Sequence, residues 1–107
     1  MRHEVILSAE AERDIDDIVQ YIAENDGVAH AERVPAGIER ACSGLADMPD
    51  RGNRPKELAS VGIREYREVH FKPYRVIYQV IAKRVVIHCV LDGRRDMQSQ
   101  LQRRLLR

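Results

Sequence analysis

The spacing of apolar residues changes once along this chain. Through the first 48 positions they recur every three or four residues, and from Ile63 to Leu91 they alternate. The first spacing keeps one face of an α-helix apolar, and the second does the same for a β-strand. Helices in one block and strands in the next cannot form an alternating parallel fold. The helical stripes must be buried on a face of the sheet that follows, which is an α+β arrangement.

Val5-Ile6-Leu7 is too short for a helix and suits a buried strand. Ser8 then offers an N-cap, followed by Glu10 and Glu12 at the positive end of a helix dipole. Ala11, Ile15, Ile18, Val19 and Ile22 predict an amphipathic helix from about Ser8 to Glu24, closed by Asn25-Asp26-Gly27. A second helical stretch from about Val28 to Met48 carries Val34, Ile38, Ala41, Leu45 and Met48 on one face. Pro35 interrupts it, so the helix is expected either to kink there or to start there. Gly37 weakens the same region, and Met48-Pro49 ends it.

Residues 50–62 read as a loop, with Gly52, Asn53, Pro55 and Gly62 among several charges. Three strands should follow, Ile63–Phe71, Tyr74–Ile81 and Val85–Leu91, the last two joined as an antiparallel hairpin around Ala82-Lys83-Arg84. In the second strand Tyr74, Val76, Tyr78 and Val80 share a face, opposite Arg75, Ile77, Gln79 and Ile81. In the third, strict alternation puts Val85, Ile87, Cys89 and Leu91 on one face, with Val86, His88 and Val90 on the other. Asp96 caps a short C-terminal helix running to Leu106. The order is β-α-α-β-β-β-α. It predicts a helical hairpin on an antiparallel sheet of about four strands, with the second sheet face open or covered by the last helix or a partner. Residues 1–107 are expected to form one domain.

The charge is uneven. Residues 1–50 carry a net of −8 and residues 51–107 a net of +9. Such asymmetry either marks an interaction surface or is neutralised within the fold. Cys42 and Cys89 lie in apolar periodic stretches and read as buried thiols. No clustered Cys/His spacing points to a metal, and no cofactor motif is present. Met1-Arg2-His3-Glu4 is followed by only three apolar residues, so a cytoplasmic protein without a membrane association is expected.

Four stretches in this order resemble the ParE/RelE toxin superfamily. They are Ser8-Ala9-Glu10-Ala11-Glu12-Arg13-Asp14-Ile15 with Tyr21-Ile22-Ala23-Glu24, then Ala31-Glu32-Arg33 through Met48-Pro49. Tyr74-Arg75-Val76-Ile77-Tyr78-Gln79-Val80 and Val90-Leu91-Asp92-Gly93-Arg94-Arg95-Asp96 complete the set. Pro35 departs from the family pattern. The resemblance implies the toxin of a type II toxin–antitoxin pair, bound by a ParD-like antitoxin through which alone it reaches DNA. ParE-like members inhibit DNA gyrase, whereas RelE-like members cut mRNA on the ribosome.

Cutting RNA without a metal needs a proton acceptor, a proton donor and cations for the phosphorane. By the resemblance, Arg75 and Arg95 match nuclease-branch arginines, and His70 is an available base. The preceding strand offers Glu68 and His70 where that branch has lysines, and Leu101 stands where it has a tyrosine. No Tyr follows Tyr78, and the terminal His-Tyr pair of another nuclease branch is missing. Glu65 and Glu68 are expected to pair with Arg64 and Arg67 at the surface. The favoured reading is gyrase inhibition by binding through Arg94, Arg95, Arg103 and Arg104, with no catalytic residue. The alternatives are the ribosome-dependent nuclease and a non-toxic interaction module of the same fold.

Overall fold

The computed structural model describes residues 2–106. Strand β1 spans Glu4–Leu7, and helix α1 spans Ala9–Asn25. Ser8 caps α1 by accepting from the Ala11 N–H at 3.0 Å, and its hydroxyl also donates to the His88 carbonyl at 3.0 Å. One serine thus starts the helix and ties it to the far end of the chain. Gly27, at φ 98°, supplies the reversal into the second helix, a backbone region that L side chains avoid.

Helix α2 runs unbroken from Val28 to Ser43, so Pro35 lies inside it and does not start it. A proline there forfeits the bond to the Ala31 carbonyl. The buried stripe Ala31, Val34, Ile38 and Cys42 crosses the site and holds both halves to one surface. Gly37 is required by packing: a Cβ there would sit 2.2 Å from the Phe71 ring. The helix ends earlier than its stripe suggests, in a 3₁₀ turn Gly44–Ala46, which leaves Met48 exposed.

The stretch read as a plain loop holds one helical turn, α3 (Lys56–Ala59), which buries Leu58. Strand β2 is Arg67–Phe71, shorter than expected, because Ile63 and Tyr66 pack against the core before the strand begins. Strands β3 (Tyr74–Ile81) and β4 (Arg84–Asp92) follow, then helix α4 (Met97–Leu105), capped by Asp96.

The sheet order is β1-β4-β3-β2. The three later strands are antiparallel, as anticipated, but β1 joins β4 in parallel, from Glu4↔Arg84 to Leu7↔Ile87. Parallel neighbours need a long crossover, and here the helical hairpin with β2 and β3 supplies it. A bulge also alters β4. Tyr78 pairs with Ile87 and Ile77 with Cys89, leaving His88 as an extra residue. Val85, Ile87 and Val90 therefore face the helical hairpin, while Cys89 and Leu91 face the other way. The strict alternation expected for this strand is corrected by that single inserted residue.

Two cores result. Val76, Tyr78, Val85 and Ile87 pack under α1 and α2, and Ile77, Cys89 and Leu91 pack under Leu58 of α3 and Met97 and Leu101 of α4. The chain is a helix–sheet–helix sandwich with neither sheet face open. Among the described residues no helix is long and apolar enough to cross a membrane.

Candidate functional site

Arg75 projects from β3 towards α3, opposite the face of Val76 and Tyr78. Its Nη1 and Nη2 donate to both oxygens of Glu57 at 3.0 and 2.8 Å, and its Nε donates to Glu68. Three of its five donors are spent on two carboxylates. The Arg75 side chain is 13% exposed and that of Glu68 only 4%. Glu57 holds the guanidinium well above its usual range with help from Glu68, and the bond from Arg75 lowers the Glu57 carboxyl. Glu68 also accepts from Asn53 Nδ2 at 2.9 Å. The expected surface pairing of Glu68 with Arg64 or Arg67 is thus replaced by a buried one. Arg67 turns instead to the carbonyls of Asp50 and Gly52.

His70 stands beside this clamp, its Nε2 3.7 Å from Glu68 Oε1, in a groove with Arg51 and Asn53. Arg95 lines a different cleft. The three residues of the nuclease alternative are therefore divided: His70 and Arg75 share the Glu68 carboxylate, and Arg95 lies apart.

The second cleft, about 330 Å³, lies where α1, the end of β4 and α4 meet. It gathers Arg94, Arg95 and Arg104, but not Arg103. Arg94 is exposed and folds back on Asp92 with a bond of 2.9 Å between its Nη2 and Oδ2, which lowers the Asp92 carboxyl. Arg104 is the least exposed of the four. It donates to Asp14 Oδ2 at 2.8 Å, and both side chains are largely buried. Arg95 is exposed.

Three residues of this cleft carried no chemical signal in the sequence. Asp14, which lies off the apolar stripe of α1, accepts from the Val90 N–H at 2.9 Å as well as from Arg104. Tyr21 is 59% exposed on one wall, and Tyr74 is buried beside it. Only the meeting of α1 with the end of β4 makes these a group. A partial sign was available: Tyr21 falls off the apolar stripe of its helix, yet is large and aromatic.

His88 occupies the bulge on the α4 face, with Nε2 2.7 Å from Gln79 Oε1 and its ring edge-on to Tyr66. Burial lowers its pKa, opposed by Glu10. Both thiols are buried, and burial pushes Cys42 up to about 11 and Cys89 up to about 12. Among the described residues no three His, Cys, Asp or Glu side chains are grouped to hold a metal.

The chain can be placed among known proteins on both sequence and fold. Residues 5–97 match the family described as the ParE toxin of the type II toxin–antitoxin system parDE. Toxin ParE3 of Caulobacter vibrioides is 31% identical over 97 residues, spanning 91% of this chain and 93% of that protein. The chromosomal ParDE system of P. aeruginosa includes a chain of the same fold, with a TM-score of 0.70 at 17% identity over 83% of this chain and 94% of that one. The toxin–antitoxin complex RelBE2 of Mycobacterium tuberculosis includes another, with a TM-score of 0.60 at 20% identity over 86% and 92%. The match over residues 5–97, on a helical hairpin laid across a four-stranded sheet, places this chain in the ParE toxin family of type II toxin–antitoxin systems.

Proposed function

We propose that the chain is the toxin of a two-protein system, that a cognate ParD-like antitoxin neutralises it, and that its target is DNA gyrase, which it binds without cutting RNA. The observation that carries the choice of target is the state of Arg75. An arginine that clamps a phosphate must present its planar fork to that phosphate. Here the fork is closed on Glu57 and backed by Glu68, under α3. An RNA strand would have to displace a carboxylate pair and would then meet two bare negative charges.

The exposed cationic flank lies elsewhere, where β4 leads into α4. Arg94 and Arg95 are exposed there, beside Tyr21. Arginine and tyrosine are favoured at protein–protein contacts because each covers much area and still makes polar bonds. Within this reading Arg94, Arg95 and Arg103 meet the target directly, and Arg104 contributes by holding α4. The antitoxin as partner is supported by the similar solved folds, which come from a ParDE system and a RelBE2 complex. Contact with DNA is through that antitoxin, and the protein acts in the cytoplasm, where gyrase is.

Purified chain added to gyrase and relaxed plasmid is expected to inhibit supercoiling, and Arg95→Ala to weaken the inhibition. Added to a translation reaction, it is expected to leave mRNA intact. Cleavage of ribosome-bound mRNA with supercoiling unaffected would establish the nuclease reading instead. Inactivity in both assays, with normal growth on induction in bacteria, would establish a non-toxic module.

A further inference from the structure

Helix α4 has nine residues, too few to hold a helix in water without support. Its support can be named. Met97 and Leu101 are buried on Ile77, Cys89 and Leu91, with Leu105 partly buried beside them. Asp96 caps the first turn through the Ser99 N–H, and Gln100 Nε2 reaches the Asp92 carbonyl at 3.3 Å. The last turn is tied by Arg104 to Asp14, a residue 90 positions away on α1.

Asp14 has two clients. β1 ends at Leu7 opposite Ile87, so the rest of β4 runs on without a strand on that side. The Val90 N–H, which a neighbouring strand would otherwise satisfy, is met by Asp14 Oδ2. The same oxygen accepts from Arg104. The carboxylate is therefore placed by the sheet edge whether or not α4 is present. When α4 leaves, Asp14 keeps the Val90 N–H and the helical hairpin keeps its own core, which contains no residue of α4.

We propose that α4 is a latch that opens as a unit while the hairpin and sheet stay folded, and that the Asp14–Arg104 pair holds its free end. Opening uncovers Ile77, Leu91 and the Cys89 thiol. It also releases Arg104 from the position in which it borders the α1–β4 cleft. The latch follows from the packing alone and does not depend on which target the protein has.

The protein carries its own reporters for a test. Cys89 lies beneath α4, and Cys42 lies in the hairpin core on the opposite sheet face. A buried thiol reacts only through opening, so its labelling rate measures the open fraction of whatever covers it. In the full chain Asp14→Asn keeps an oxygen for the Val90 N–H and removes the charge facing Arg104. Arg104→Met keeps the apolar stem and removes the other charge. Each is expected to speed iodoacetamide labelling of Cys89 about tenfold, the weight of a partly buried charge-assisted bond, and to leave Cys42 unchanged. One molar salt should accelerate Cys89 in the unaltered chain more than in either variant. Equal acceleration of both thiols would mean that α4 opens only with global unfolding, and would overturn the latch. So would a Cys89 rate unmoved by both substitutions.

Discussion

Replacing Arg75 by Met separates a structural role for this arginine from a phosphate-binding one. Met fills much of the same volume and leaves no charge. Two carboxylates then remain where three charges had been, with side-chain exposures of 14% for Glu57 and 4% for Glu68. An exposed ion pair is worth about 0–1 kcal/mol, whereas stranding a buried charge by removing its partner costs about 3–5 kcal/mol. Glu68 is as buried as the core residues and Glu57 nearly so, and the second figure applies. Domains of this size are stable by roughly 5–15 kcal/mol, so the loss is a large fraction of the total.

Glu68→Gln provides the internal contrast. It leaves the bidentate Arg75–Glu57 pair in place and keeps an acceptor for Arg75 Nε, so it should cost only about 1–2 kcal/mol. Acidity should separate the two further. In the intact protein the Glu57 carboxyl is held below its ordinary 4.5 by the bond from Arg75. That contribution is present above 4.5 and is lost as pH falls through the lower folded value. In Arg75→Met the bond that favours the ionised Glu57 carboxyl is gone, so the penalty should shrink between pH 7 and pH 5. Urea denaturation of the three proteins at both pH values measures this. A loss below about 1 kcal/mol for Arg75→Met at pH 7, or a penalty that does not change with pH, would refute the buried-clamp argument. So would a variant as stable as the parent that had lost only its toxicity.

Three further outcomes are expected. Gly37→Ala should destabilise by about 1–3 kcal/mol in thermal unfolding, because the added carbon 2.2 Å from Phe71 forces the helix off the strand. A neutral or stabilising result would mean that helix propensity outweighs that contact. Ala82 sits at φ 55° in the β3–β4 turn, so Ala82→Gly should raise stability by up to about 1 kcal/mol, and a lower melting temperature would contradict it. His88 is held by burial below its ordinary 6.5, so the unfolded chain takes its proton first. Stability should therefore fall as pH drops through 6.5 towards the folded value, and His88→Gln should flatten that slope. A slope unchanged by the substitution would assign it to another group.

Much of this architecture is readable locally. Ala11, Ile15, Ile18 and Ile22 spell out one face of α1 before any contact is known, and Tyr74 through Ile81 alternate as a strand with two distinct faces must. Ser8 and Asp96 are caps by residue type, and the Ser8 hydroxyl indeed accepts from Ala11. The family was legible for the same reason: its pattern consists of such local pieces in order. Arg75 and Glu68 show the limit. Both could be seen as charged strand residues, but nothing in their neighbourhood announces that Glu57, in a stretch read as loop, supplies the second carboxylate.

By its residues alone, then, the chain determined which segments are helical, which are extended and which faces are apolar. Those properties depend on neighbours within a turn or two and on the repeat of 3.6 or 2 residues. Tertiary structure decided the rest: the parallel seat of β1, the bulge at His88 that turns Cys89 towards α4, and the course of α2 through Pro35. It also decided that Asp14 meets Arg104. Each of these rests on contacts between residues far apart in the chain, whose free energy exists only once the sheet has brought them together.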